Sequence, residues 1–517
     1  MKKYNYIKSL ALLISTTMIT GSCSEEILNY PDPNARNTDT YFNTPAEIEQ
    51  GAFAIYSSFH HNSMFGWQLP EVFDVMANES DGRPSSAGEA NIHLCWRYQH
   101  NNQTDVFWKY WRLLYRMIMR SNLVIYKGGE YVVKNGNDEK VSFALGDAYF
   151  LRGWAYSQLA FHWGSVPLRT SFTPEEGDNA RVPAQQVWDQ VEADFKQAQN
   201  LLPESWPANF EGRATKGAAT GFLGKLYLYN KKYALADAEF AKMDGKFKLL
   251  PKNKWDYNHG ETNEYNEENV FSIIFYDAPG TNQWVMFEDP EDMDNAGRQN
   301  ARAQLYSWTD WSNWGFQPRR VADFQYNDET GIPFVDPRAA LTFYGGTIGD
   351  QTYGDNTQGG PQPFPFAEKG YWYRKGTNKE NKLSEGGVRS GNNIRLMRYA
   401  DVLLMRAECK LETGDIPACI SFINQVRKRI AAFEYMGSYD KAQAFELLKR
   451  ERQLELMGEM HRYNDLKRWG ILKETINVET QALWGTQNVQ DKHNLFPVPQ
   501  QELDTNPEFG SVANSWN

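Results

Sequence analysis

The residues best suited to chemistry in this chain are aromatic. The run YSWTDWSNWGF sets Trp308, Trp311 and Trp314 three residues apart, with Gly315 breaking the pattern. A flat ring stacks on the apolar face of a sugar, while neighbouring amides and carboxylates bond its hydroxyls. Trp284 and the cluster Tyr371, Trp372 and Tyr373 lie in the same half of the chain. Earlier, Asp81, Trp96, Tyr98, Asn101 and Asn102 form a second polar and aromatic set. Buried packing is the ordinary alternative for each tryptophan.

Covalent chemistry has weaker support. The chain carries no HExxH, nucleophile elbow, Walker loop or dinucleotide fingerprint. Its eight histidines and four cysteines show no metal-ligand spacing. Glu288, Asp289, Glu291, Asp292 and Asp294 lack the ordered loop of an EF-hand and read as a solvated acidic turn. We therefore expect no catalytic residue, no metal and no cofactor. A glycosidase carboxylate pair is a weaker alternative that only geometry would reveal.

Glu451, Glu455 and Glu459 recur every fourth residue, which on one helix places three like charges on one face. Such a face needs compensation, and Arg452, Arg462, Arg468 and His461 are the nearby candidates. A semi-buried structural ion network or a solvated face accounts for the spacing better than catalytic carboxylates do.

The elements that must hold these groups are mostly helical. Thr44 and Pro45 predict a helix start, running to about Phe59. Periodic apolar residues predict helices over 105–125, 141–162 and 183–201, then a pair over 219–227 and 235–243. In that pair Leu223, Gly224, Tyr227, Ala236 and Phe240 match successive tetratricopeptide positions. Near the C-terminus Leu396, Tyr399, Leu403, Ala407 and Leu411 make one helical stripe. Gly414 stops it, and Pro417 opens the next helix. Residues 63–100 read as a surface excursion carrying binding residues. Residues 250–392 are rich in Gly, Asn, Asp, Pro and aromatics, with short strands expected at 270–275 and 341–344. The expected fold is all-α dominated: tetratricopeptide-like helical pairs with a largely irregular inserted binding subdomain containing short strands.

With 517 residues the chain is long enough for several core layers. A net charge of -11 with scattered positives argues against nucleic acid as a partner. Residues 1–22 combine Lys2 and Lys3 with a short apolar run, as an export signal does. The Gly21-Ser22-Cys23 sequence resembles a bacterial lipoprotein processing box, and Ser24-Glu25-Glu26 resembles a surface-export tag. Acylation at Cys23 is the expectation, anchoring the chain without a spanning helix. The boundaries expected are 1–22 for the signal, 23–250 for an N-terminal helical region with the excursion, 251–392 for the irregular subdomain and 393–517 for a C-terminal helical region and tail.

Five stretches then carry a family likeness: GDAYFLRGWAYSQLAFHWGSVPL, GRATKGAATGFLGKLYLYNKKYALADAEF, RLMRYADVLLMRAECKLETG, ERQLELMGEMHRYNDLKRWG and HNLFPVPQQELDTNPEF. In this order and spacing the chain resembles the SusD/RagB family of outer-membrane nutrient-binding lipoproteins. The resemblance implies non-catalytic capture of an oligosaccharide or polysaccharide at the cell surface. It also implies delivery to a SusC-like TonB-dependent transporter, with the chain lipid-anchored on the extracellular face of the outer membrane. In that context Asp81, Trp96, Tyr98 and Asn101 are the early ligand candidates, and Trp308, Trp311, Trp314 and Trp372 the later ones. Peptide or glycopeptide capture, or a helical scaffold without a small-oligomer ligand, are the alternatives.

Overall fold

The computed structural model describes residues 41–81, 90–173, 177–260, 262–276, 299–306, 315–353, 362–365, 368, 370–377 and 390–510. Residues 1–22, Cys23, Trp284, the acidic cluster 288–294 and Trp308, Trp311 and Trp314 lie outside the described residues.

The first helix, Pro45–Tyr56, starts where its cap dictates. The Thr44 side chain accepts from the Glu47 amide while Glu47 reaches back to the Thr44 amide. It ends three residues before Phe59, and a 3-10 turn over Ser57–His60 continues it. Residues 63–80 depart from the reading of 63–100 as a surface excursion. The helix Gln68–Met76 is buried from Leu69 to Met76. Its charged residues are compatible with burial because they are partnered: Glu71 accepts from the Trp67 indole at 3.0 Å, and Asp74 lies 3.5 Å from Arg302.

Helices Asp105–Asn135, Glu139–Trp163 and Ala184–Leu201 pack in sequence. The first runs ten residues past its expected end at residue 125. Helices Lys216–Tyr229 and Tyr233–Ala241 follow as a tight pair. At Gly224 an added Cβ would lie 2.5 Å from the Phe240 ring, so the glycine sets how closely this pair approaches. Phe150 joins the stack to the strand behind it, with ring centroids 5.5 Å from Phe222 and 4.8 Å from Phe271.

That strand, Asn269–Ile273, pairs antiparallel with Ile394–Arg398, Ile394 facing Ile273 and Arg398 facing Asn269. The helix expected to include Leu396 therefore begins only at Tyr399 and runs to Glu412. A short apolar run reads equally as strand or helix, and here an available partner strand decides it. Gly414, at φ +88°, and an Asp415 cap then lead into helix Ile416–Arg429. Arg406 bridges to Asp237 at 3.0 Å and Asp244 at 2.6 Å, so the C-terminal pair stacks directly on Tyr233–Ala241. Cys95, Cys409 and Cys419 are buried free thiols. Of the short strands in the inserted region, the second is shifted: Ala339–Thr342 is helical, and the strand is Phe343–Gly345. Among the described residues no helix is long and apolar enough to cross a membrane.

The glutamate ladder is buried, and its compensation differs from expectation. Glu451 pairs with Arg338 at 2.7 Å and Arg427 at 2.9 Å. Glu455 meets Arg338, Arg398 and Arg429. Glu459 meets Arg398 at 2.7 Å and also Lys375. The sequence neighbours serve other carboxylates instead. Arg452 binds Asp401 and Asp465, Arg462 binds Glu479, and Arg468 binds Glu408 and Asp465. Nor do the three glutamates share one helix, because Lys441–Leu456 ends before Glu459. With Asp336 on Arg338 and Glu268 on Arg398 and Arg429, five cations face five carboxylates. The Trp255 ring lies 4.4 Å from the Arg429 guanidinium and 5.5 Å from that of Arg398. Burial raises the Glu455 carboxyl, but Arg429, Arg398, Arg338 and Lys375 overcome it and hold the group at about 2.

Candidate ligand-binding site

Of the candidate residues, Asp81 lies on a two-residue ladder. Ser80 pairs with Phe316 and Asp81 with Gly315, antiparallel. The Gln317 amide extends the ladder by donating to the Glu79 carbonyl at 3.2 Å. Asp81 is thereby placed opposite the residue that follows Trp314.

Beneath this clasp lies an aromatic floor. The Phe316 ring stacks on Tyr373 at 3.5 Å between centroids and meets Phe343 edge-on at 4.3 Å. Tyr373 in turn meets Tyr306 edge-on at 4.5 Å. The polar ends of these rings are satisfied. The Tyr373 hydroxyl lies 2.8 Å from the Ser80 hydroxyl, and Tyr306 donates to Asp74 at 3.1 Å. Helix Arg302–Tyr306 leads into residues 307–314, and Gly315 follows them. The described residues on both sides of the three tryptophans are thus fixed in one buried cluster.

Gly458 links the floor to the ion network. Its φ of +71° suits glycine, and an added Cβ would lie 2.9 Å from the Tyr373 ring. Its amide donates to Glu79 at 3.2 Å, and its carbonyl accepts from Arg302. Burial, and next the Asp74 charge, push the Glu79 carboxyl up to about 8 against the pull of Arg462 and Arg320.

The remaining candidates divide by position. Trp372 lies on the strand Tyr371–Tyr373, opposite Tyr344, and is half-buried beside Phe364 at 5.7 Å. Phe364 stacks on Tyr344 at 5.2 Å, so Trp372 belongs to a small aromatic group whose other members carried no signal in the sequence. Trp96 and Tyr98 are buried, 6% and 4% exposed, and offer no open ring face. The Tyr98 hydroxyl donates to the Met76 carbonyl, and its ring lies 5.2 Å from His493. Asn101 is exposed but sits at the entrance of helix Asp105–Asn135, accepting from the Gln103 amide at 2.9 Å. Its neighbour Asn102 exchanges bonds with Gln500. The structure therefore joins Asp81 to the middle insert and sends Tyr98 and Asn102 against the C-terminal tail.

Comparison with known proteins gives concordant matches. A family model described as "SusD family" matches residues 241–511, and one described as "Starch-binding associating with outer membrane" matches residues 28–228. SusD-like protein P25 of Formosa agariphila is 26% identical, with 98% of each chain covered. A SusD superfamily protein from Bacteroides vulgatus ATCC 8482 superposes with a TM-score of 0.77 at 25% identity, covering 91% of this chain and 99% of that one. A laminarin-binding SusD-like protein shares the fold, with a TM-score of 0.71 at 22% identity and 91% and 99% of the two chains covered.

Proposed function

Because this chain belongs to the SusD family, whose members are binding proteins and not enzymes, we propose that it captures an oligosaccharide or polysaccharide at the cell surface. The captured chain passes to a SusC-like TonB-dependent transporter in the outer membrane. Acylation at Cys23 holds the protein on the extracellular face. The observation that carries the reading is the clasp of Ser80–Asp81 on Gly315–Phe316 over the Tyr306, Phe316 and Tyr373 floor. In the sequence Tyr306 and Gly315 bracket Trp308, Trp311 and Trp314, and Asp81 pairs with Gly315.

The site works by several modest contacts. Tryptophan rings stack on sugar faces, and polar groups at the edge bond hydroxyls. Trp372 adds a further aromatic contact, and Asn101 a polar one for a ligand extending toward the tail. Two relatives by fold favour a glucan-type ligand among those to test: the laminarin-binding SusD-like protein, and surface glycan-binding protein A of Bacteroides thetaiotaomicron, solved with laminarihexaose.

The test is a binding screen of the purified chain against soluble polysaccharides and defined oligopeptides, with reducing ends assayed in parallel. Saturable binding of at least one polysaccharide without release of reducing ends is the expected result. Peptide binding with no glycan binding, or release of reducing ends, overturns the proposal.

A further inference from the structure

We propose that a cleft within the helical stack binds a short-chain monocarboxylate, of acetate or propionate size. The cleft shares no residue with the clasp. Helix Glu139–Trp163 lines it with Trp154, Gln158 and Phe161, helix Ala184–Leu201 with Trp188, and helix Lys216–Tyr229 with Lys225 and Tyr229. Glu459, His461 and Asn464 close it from the C-terminal half. Its volume of about 80 Å³ is well under the roughly 300–1,000 Å³ of drug-sized sites, so only a ligand of a few heavy atoms fits.

Lys225 brings a charge into this cleft without a bonded counter-ion. Among the described residues its ammonium makes no ion pair and no hydrogen bond; its contacts are the Tyr229 ring at 5.7 Å and the Phe222 ring at 6.0 Å. The nearby carboxylates are engaged elsewhere. Asp401, which attracts Lys225, pairs with Arg452 at 2.9 Å. Asp465 pairs with Arg452 at 2.7 Å and with Arg468 at 2.8 Å. Glu459, the one carboxylate among the described lining residues, meets Arg398 at 2.7 Å and also Lys375. Burial holds the His461 imidazole down at about 4, so it is neutral near pH 7. Burial also pulls the Lys225 ammonium down from its ordinary value, a cost that a bound anion offsets.

The walls around the ammonium select the kind of anion. Phe65, Phe73, Trp154 and Phe222 line the cleft with apolar rings. Gln158 and Asn464 bring amide groups to the same walls. The lysine ammonium is a compact point charge that pairs with a carboxylate. A short-chain carboxylate therefore sets its charged end on Lys225 and its one- or two-carbon tail against the rings. Chloride has no such tail, and phosphate is polar on every side.

The experiment is a thermal-shift titration of the purified chain, with sodium propionate replacing sodium chloride at constant ionic strength and with neutral propionamide in parallel. The expected result is a saturable rise in melting temperature of about 1 °C or more with propionate and none with propionamide. Two variants should abolish the rise. Lys225→Met keeps the apolar stem and drops the charge. Gln158→Glu keeps the oxygen that accepts from Tyr110 and brings a carboxylate of the protein's own into the cleft. The readout needs no glycan, so it stands apart from the clasp reading. No rise with propionate, an equal rise with propionamide, or a rise kept in whichever variant folds overturns the proposal.

Discussion

The Ser80 hydroxyl and the Tyr373 hydroxyl lie 2.8 Å apart although 293 residues separate them in the chain. That bond crosses from the end of the first buried helical segment to the inserted region, directly beneath the Ser80–Phe316 pairing. The edge proposed for the ligand is therefore made by closure of distant segments.

Removing the centre of the floor should be costly. Phe316 is 6% exposed and packed between Tyr373 and Phe343. Phe316→Ala is expected to lower stability by about 3–5 kcal/mol, as for other buried Phe→Ala changes. Denaturant unfolding checks this. Tyr373→Phe, which keeps the ring and loses only the bond to Ser80, should cost about 1–3 kcal/mol.

The ion network is expected to hold shape and not ligand. Glu455→Gln strips the carboxylate that faces Arg338, Arg398 and Arg429, leaving buried guanidinium charge uncompensated. The expected loss is about 3–5 kcal/mol, the range for breaking a buried pair from one side. The pair of exposed Glu446 with half-buried Lys449 is the control, and Glu446→Ala should change stability by less than about 1 kcal/mol. Glycan affinity should be unchanged in every folded variant of either pair.

Acid should unfold the protein through the same network. Glu455 and Asp336 are both held at about 2, against ~4 in an unfolded chain. For Asp336, burial works upward and the Arg338 guanidinium overrides it. Lowered folded pKa values give stability that is present above ~4 and is lost as pH falls from there toward 2. Thermal melts across pH 6 to 2 should show that decline, and Glu455→Gln should make it shallower.

Glu79 has the opposite sign. Its folded carboxyl keeps the proton to about pH 8, whereas an unfolded glutamate releases it near ~4.3. Stability from this group is present below ~4.3 and is lost as pH rises toward 8. Glu79→Gln removes that loss, so its stability relative to the parent should grow by at least about 1 kcal/mol between pH 4 and pH 9. Melting curves of the two proteins at both pH values check it.

Close helix approach makes a sign-sensitive test. A Gly→Ala change inside an exposed helix gains about 1 kcal/mol. At Gly224 the new methyl would strike the buried Phe240 ring at 2.5 Å. Gly224→Ala should therefore destabilise by about 1–3 kcal/mol, the cost of overpacking. A stabilised variant would argue against the tetratricopeptide-like contact.

What the sequence made legible follows from the range of the forces involved. Helix pairs were readable because apolar period, Gly414 and Pro417 act locally. The partners of Glu451 and Glu455 were not, since Arg338 stands 113 and 117 positions away. Nearby Arg452, Arg462 and Arg468 matched the charge, but three-dimensional closure gave them other carboxylates. The two-residue strands of the clasp have no periodic signature at all. Polar and aromatic composition pointed to Trp96 and Tyr98 as readily as to Asp81, and the burial of both rings is not legible in composition.

The central claim is that the ligand is held on the tryptophans bracketed by the clasp. Calorimetry of the Trp308→Ala/Trp311→Ala/Trp314→Ala variant, against a polysaccharide that the parent binds, tests it most directly. The expected result is a loss of about 2 kcal/mol or more, roughly 30-fold in affinity, with an unchanged melting temperature. Unchanged affinity in the triple variant would contradict it.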